Sequence, residues 1–361
     1  MSTKPTIPLL LQGTPVETHA DLWRFWLMPG EPEPGVQIRK AIDPTKPISW
    51  RELDKLRQLY EIAYRGTDAG VVAYVTKRTS IRTLSWTAHE QARIDLSKSH
   101  LTELGIDTSG PLELRLPPTL ETLGLRSARH PANLTLHSGD FGARLGLEMW
   151  DPKGKVPFFP GLAALRSLTV AGTARVDLAP FAKYTQLNAL AIWGVDSGVE
   201  VTGLGVLAKL PALRELELRN VYHTDLSALP KLPALESFAI DGIRAPDAAH
   251  VKKLFTGKAL RILGVRSDAW LKKNADNPFR EWEGRLATRA TKAYRAARAA
   301  IDARNDAEET LAAFIAAFNA VEAEIDTIRR EQIDDAFRAL AADLKVSPKR
   351  ATSWFERWRE F

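Results

Sequence analysis

The residues best suited to chemistry in this chain are seven histidines: His19, His89, His100, His130, His137, His223 and His250. A helical metal site needs two histidines four apart on one face, with a further ligand at a defined distance. No pair here has that spacing, and none has a convincing carboxylate partner at ligand spacing. His89 and His100 read instead as turn or ladder residues. Cysteine is absent, which excludes disulfides, thiolate metal sites and cysteine nucleophiles. There is no Walker-type phosphate loop and no Gly-x-Ser-x-Gly elbow. Gly203, Gly205 and Ala208 meet only the loosest dinucleotide fingerprint, and the intervening Leu204 and Leu207 are needed elsewhere, as shown below. Glu308 and Glu309 sit at a predicted helix start, where the helix dipole favours acids. No catalytic constellation results, so the chain reads as a non-enzyme with no cofactor and no bound metal.

The net charge of +6 raises the question of nucleic acid. From Lys272 onward there are 17 basic and 16 acidic residues, so no basic tail exists. Arg285, Arg289, Lys292 and Arg295 line one side of a predicted helix and could hold phosphates. Aromatic residues are not interleaved with them apart from Tyr294, and a solvated helix face is the expected reading. Nucleic acid is therefore an unlikely partner. The apolar run Ile7 to Leu11 is broken by Pro8, and no stretch approaches the ~20 apolar residues of a membrane span. These features point to a cytoplasmic chain that does not engage a membrane, for which the sequon at Asn133 is immaterial.

One pattern recurs along the middle of the chain: apolar, two residues, apolar, one residue, apolar. The clearest copies begin at Leu165, Leu187, Leu213 and Leu235, as in Leu213-Arg-Glu-Leu216-Glu-Leu218. Leu260-Arg-Ile-Leu263-Gly-Val265 follows, and earlier copies begin at Ile81, Leu101 and Leu120. A further copy has Leu145 and Leu147 in its inner positions if Gly142 opens it. Nine copies at near-equal steps thus cover Ile81 to Arg266. Alternation within a copy is the period of a strand with one buried face. A strand this short cannot bury that face alone, but stacking at a period of ~20–29 residues shares one core between neighbours. The return limbs carry a second apolar pair: Leu178 with Phe181, Leu204 with Leu207, Leu226 with Leu229. Short helical or 3₁₀ turns are expected there. The earlier limbs, with Ile94 and Leu96, Leu112 to Leu116, and Leu134 and Leu136, read as short convex strands.

The stretch from Val176 to Ile243 resembles the 22-residue bacterial class of leucine-rich repeats. The phrases that carry this are Asp177-Leu178-Ala-Pro-Phe181, Leu207-Ala-Lys-Leu210-Pro-Ala-Leu213 and Leu226-Ser-Ala-Leu229-Pro-Lys-Leu232-Pro-Ala-Leu235. The resemblance implies a curved scaffold whose concave parallel sheet binds another protein. One feature departs from it. The asparagine expected three places after the last strand apolar is replaced by His89, Ser109, Ala128, Trp150, Thr173, Val195, Val221, Ile243 and Asp268. Other groups, such as turns or water, must satisfy that backbone ladder.

The expected fold is an α/β leucine-rich-repeat solenoid with an N-terminal cap over 1–70, repeats over 71–272 and a C-terminal helical bundle over 273–361. In the cap, Ser49 and Glu52 match a capping box, with a helix continuing through Leu53, Leu56 and Tyr60 to about Gly66, and Pro29 to Pro47 as loop. Trp23 and Trp26 could pack that loop on the first repeat. Helices are expected near 278–304, 306–323, 328–344 and 347–360. The third, fifth and seventh strand positions point away from the core. The fifth are Ser85, Gly105, Gly124, Gly146, Thr169, Ala191, Glu217, Ala239 and Gly264, nearly all small. The seventh are Thr87, Asp107, Arg126, Glu148, Ala171, Trp193, Arg219, Asp241 and Arg266. We expect a shallow groove floored by small residues and walled by charges, with Trp193 as aromatic anchor. Small residues that merely relieve crowding on a curved sheet are the competing reading. The candidate protein-binding residues are Glu103, Asp107, Arg126, Arg144, Glu148, Trp193, Glu215, Glu217, Arg219, Asp241 and Arg266. The expected function is a protein-binding scaffold, with an intracellular regulatory or toxin-neutralising protein as its concrete form. The rivals are an effector acting through its C-terminal helices and a nucleic-acid binder using the basic helix.

Overall fold

Repeated apolar alternation at a near-constant step builds the first half of the molecule. The computed structural model describes residues 6–31, 36–88, 91–108, 110–126, 133–138, 145–152, 155–195, 198–274 and 276–361. The chain divides into two compact units, Met1–Arg266 and Ser267–Phe361. The first is an α/β leucine-rich-repeat solenoid around a 12-stranded parallel sheet.

The sheet comprises β3 (Arg24–Met28), β4 (Arg39–Ala41), β5 (Glu61–Arg65), β6 (Thr83–Thr87), β8 (Glu103–Asp107), β10 (Thr122–Arg126), β12 (Gly146–Trp150), β13 (Ser167–Thr173), β15 (Ala189–Gly194), β17 (Glu215–Arg219), β18 (Ser237–Arg244) and β19 (Ala259–Arg266). Strands follow chain order across it, except that β4 lies at the edge beyond β3. Ile62, Leu84, Leu104, Leu123, Leu147, Leu168, Leu190, Leu216 and Phe238 form one row. Tyr64, Trp86, Ile106, Leu125, Met149, Val170, Ile192, Leu218 and Ile240 form the next. Every one of these side chains is buried, and each contributes about 1.5–3 kcal/mol of burial.

The return limbs follow the expected division. β7 (Arg93–Asp95), β9 (Leu112–Arg115) and β11 (Leu134–His137) form a three-stranded parallel sheet on the convex side. Farther along, β14 (Arg175–Asp177) pairs with β16 (Glu200–Thr202), and 3₁₀ turns at Ala179–Lys183, Leu204–Lys209 and Leu226–Ala228 bury Phe181, Leu204, Leu207 and Leu226. Buried hydroxyls take over part of the missing amide ladder. Thr224 donates to the Val199 carbonyl at 2.9 Å and accepts from the Val201 N–H at 2.9 Å. Ser138 donates to the Gly161 carbonyl and Thr173 to that of Arg175.

The N-terminal region departs from the expected helical cap. β1 (Thr6–Leu10) and β2 (Pro15–His19) pair antiparallel, while β3, β4 and β5 extend the main sheet. Only a 3₁₀ turn forms at Trp50–Lys55, and Ser49 makes no side-chain cap. The Glu52 carboxylate instead accepts the Leu10 N–H at 2.8 Å, and the Ser49 N–H donates to Leu11. Tertiary pairing thus claims both halves of the capping box. Ile62, which fits a helical stripe with Leu53, Leu56 and Tyr60, alternates equally well with Tyr64 in a strand once β6 offers an edge. The helix in this region, α1 (Gly70–Lys77), lies later. Trp23 is exposed with the Arg24 guanidinium 4.2 Å above it, so it does not pack a loop.

Two repeat copies are shifted. Leu147 and Met149, not Leu145 and Leu147, occupy the core rows, because Gly146 pairs with Thr122 and Ser167. In the last coil Leu260 and Ile262 align with Phe238 and Ile240, which leaves Leu263 and Val265 exposed. Gly264 and its partner Gly242 both have positive φ, +57° and +75°. A Cβ on Gly264 would stand 2.7 Å from the Gly242 nitrogen, so this turn admits only glycine. Between β18 and β19 runs α2 (Ala245–Leu254).

The second unit contains α3 (Asp268–Lys273), α4 (Gly284–Asp302), α5 (Ala307–Asn319), α6 (Thr327–Asp343) and α7 (Pro348–Trp358). Its own core holds Phe279, Leu311, Phe314, Phe318, Phe337, Trp354 and Phe355. Asp306, Asp326 and Ser347 cap α5, α6 and α7 through side-chain oxygens.

Two measurements check this packing. Leu190→Ala should cost about 2–5 kcal/mol in urea unfolding, because Leu190 is buried between Leu168 and Leu216 of the neighbouring strands. The buried Tyr184 hydroxyl accepts the Phe159 N–H at 2.9 Å, and burial pushes its pKa up to about 12. Its folded pKa lies above the unfolded value of about 10, so its contribution is complete below pH 10 and is lost as the pH rises towards 12. Tyr184→Phe should therefore lower stability at neutral pH and flatten the alkaline decline in a pH series of melts. Some decline will remain, since burial also raises Tyr64.

Candidate functional site

Strand alternation that buries leucine on one side leaves three rows of side chains on the concave side. The register defines them. Across β12, β13, β15 and β17 the first row is Gly146, Ser167, Ala189 and Glu215. The middle row is Glu148, Thr169, Ala191 and Glu217, and the rim row is Trp150, Ala171, Trp193 and Arg219. Towards the N-terminus the middle row continues as Gly124, Gly105 and Ser85, and the rim as Arg126, Asp107 and Thr87.

An aromatic cluster dominates the rim. Trp150 and Trp193 stand on strands separated by β13, yet their rings meet edge to face at 5.6 Å. Ala171 lies between them in register and is buried beneath them. A larger residue there would hold the rings apart. The Arg219 guanidinium sits 4.5 Å from the Trp193 ring centre and 2.6 Å from the Glu217 carboxylate. The Glu148 carboxylate accepts the Trp150 indole N–H at 3.3 Å. The Trp193 indole N–H is buried and has no hydrogen-bond partner among the described residues. A buried unmet donor costs about 1–3 kcal/mol.

Most expected residues gather on this face. Glu103, Asp107, Arg126 and Glu148 line a groove of about 260 Å³ over β6 to β12, floored by Ser85, Gly105 and Gly124. Glu217, Arg219 and Asp241 border a second of about 170 Å³. Glu215 is exposed in the first row. Glu148 occupies the middle row rather than the rim, a consequence of the two-residue shift in β12. Trp150 takes the rim place and joins Trp193, although its sequence position suggested a turn. Arg266 does not belong to the face: Leu263 pairs with Asp241 on the rim, while Arg266 pairs with Arg244 beyond it and is half-buried. Arg144 lies outside the described residues, as do His89, His130, Ser109, Ala128 and Gly142.

The other chemical candidates have structural roles. Gly203, with φ of +73°, opens the 3₁₀ turn that buries Leu204 and Leu207. On α4, Arg285 pairs with Glu324 at 2.7 Å, Arg289 donates to the Ala317 carbonyl, and Arg295 donates to Lys273 and Asn274. Glu308 pairs with Arg350 and Arg357. Among the described residues no group of three or more histidines and carboxylates is placed to hold a metal ion, and no helix is long and apolar enough to cross a membrane.

The chain matches no family model and no curated protein. Among solved structures it is similar to the crystal structure of the LRIM1 leucine-rich repeat domain, with 14% identity and a TM-score of 0.29, over 57% of this chain and 78% of that one. It is also similar to a leucine-rich-repeat protein of Leptospira interrogans, with 12% identity and a TM-score of 0.26, over 62% and 76%. The assignment of the fold rests on the coils themselves.

The Trp193–Arg219 contact is open to a direct check. A double-mutant cycle with Trp193→Ala and Arg219→Ala, read by urea unfolding, should return a coupling of about 0.5–1 kcal/mol. Additive costs would mean that the stacking has no energetic content.

Proposed function

We propose that this chain is a non-enzymatic scaffold that recognises a partner protein through the concave face of its repeats. The observation that carries the reading is the Trp150–Trp193–Arg219 cluster on that face. Tryptophan and arginine are the residue types enriched at binding hot spots. Trp150 is 37% exposed, a costly placement for an indole in a chain that buries most of its apolar side chains. The small residues beside it leave room for a partner backbone to approach closely. Crowding relief alone accounts for those small residues but not for the exposed Trp150 indole. In its finer form, the reading is of a cytoplasmic regulatory or toxin-neutralising protein, supported by the cysteine-free composition and the resemblance to bacterial repeats. Nucleic-acid recognition through α4 is disfavoured because four of its five basic side chains are engaged within the helical unit.

Affinity capture from native lysate should recover a protein with the wild-type chain and lose it with the combined substitutions Trp193→Ala, Glu217→Lys and Arg219→Glu. Equal recovery by a variant that still melts cooperatively would remove the concave face from the account.

A further inference from the structure

Over eight of its strands the concave face keeps basic side chains out of its two inner rows, while its rim carries Asp107 and Asp241 beside Arg126 and Arg219. Across the eight strands from β6 to β18 of the main sheet, the first and middle rows hold Glu103, Glu148, Glu215 and Glu217 and no lysine or arginine. The basic side chains of those strands' exposed rows, Arg126 and Arg219, stand on the rim. The floor of the face is therefore acidic although the chain as a whole carries +6.

Within that floor, Glu148 and Glu217 share the middle row, with Thr169 and Ala191 between them. Three strand spacings of ~4.8 Å set their backbones ~14 Å apart, wide enough to seat one extended polypeptide segment. The two ends of this trough are built alike, each pairing a carboxylate with an indole. At one end Arg219 already occupies the pair, 2.6 Å from Glu217 and 4.5 Å from the Trp193 ring centre. At the other end, Glu148 and Trp150 are joined at 3.3 Å, and among the described residues no cationic group lies over the Trp150 ring.

From this we infer that Glu148 and Trp150 form a pocket for an arginine or lysine side chain presented by an extended basic segment of the partner, in the same mode that Arg219 adopts against Glu217 and Trp193. The inference rests on the protein-recognition reading and adds the chemistry of the partner. A guanidinium in this pocket gains a charge-assisted bond to Glu148 and a cation–π contact with Trp150. Both strengthen as the partner's backbone excludes water from the half-buried trough. An anionic segment would meet four carboxylates on the floor and is excluded by charge.

The test uses the full chain and three fluorescein-labelled peptides, each of alternating serine with arginine, glutamine or glutamate, read by fluorescence anisotropy. The arginine peptide should bind and the other two should not. Glu148→Gln and Trp150→Ala should each weaken that binding about tenfold, the loss of one charge-assisted or cation–π contact. No binding of the arginine peptide, equal binding of the glutamine or glutamate peptide, or affinity within twofold of wild type for both variants would overturn the pocket. The variants' melting curves report whether the fold persists, and Glu148→Gln, a near-isosteric change at a half-buried site, guards against a loss through misfolding. The two claims fail separately. A native partner lost with the Trp193, Glu217 and Arg219 substitutions but kept by Glu148→Gln would overturn the cation pocket and leave the concave face standing. A partner kept by both would overturn both.

Discussion

The molecule depends on in-register stacking of two apolar rows. Each coil contributes one residue to the row through Leu84, Leu190 and Phe238 and one to the row through Trp86, Ile192 and Ile240. None of these strands could bury its face alone. Because the side-chain period of a strand is two, holding those rows inside commits every alternate residue to the concave surface. The concave face is thus a consequence of the core, and its composition can vary without disturbing the stack.

That freedom has been used unevenly. Around β13 and β15 the outward positions are small, and Ala171 is buried beneath two indoles that meet above it. From β6 to β18 the charged side chains of the floor are all acidic, while the rim carries Asp107 and Asp241 beside Arg126 and Arg219. A face selected only for curvature would have no reason to keep Trp150 exposed, to leave the Trp193 indole N–H unmet, or to hold only acidic charge on the floor from β6 to β18. Preorganised aromatic anchors over a small-residue floor reduce what a partner must order on binding.

Much of the architecture was legible in the sequence because its signal repeats. The strand rows, the convex strands around Leu114 and Leu136, the 3₁₀ turns at Phe181 and Leu207, and the helical C-terminal region all follow from periodicity. The failures have equally physical origins. Leu145, Leu147 and Met149 alternate, so a shift of two residues buries the same face, and only strand pairing selects the register. In β19 the phrase from Leu260 to Val265 mimics a repeat, but strand pairing aligns Leu260 with Phe238 and Ile262 with Ile240, so the copy that actually stacks begins three residues earlier. The strands of the first 65 residues were missed because Ser49 and Glu52 look like a local helix start, and long-range partners claim them instead. For the candidate face, the sequence places a residue on the concave side wherever its register is right. Trp150 and Arg266 exchanged roles because each lies in a shifted coil.

Site-specific photocrosslinking in native lysate addresses the central claim most directly. A benzophenone side chain placed at Ser167, on the concave floor, should join the chain to another polypeptide on irradiation. The same group at Lys209, in the 3₁₀ turn of a return limb, should give no such product. Crosslinking from Lys209 and not from Ser167 would contradict the account and move recognition to the opposite side of the repeats.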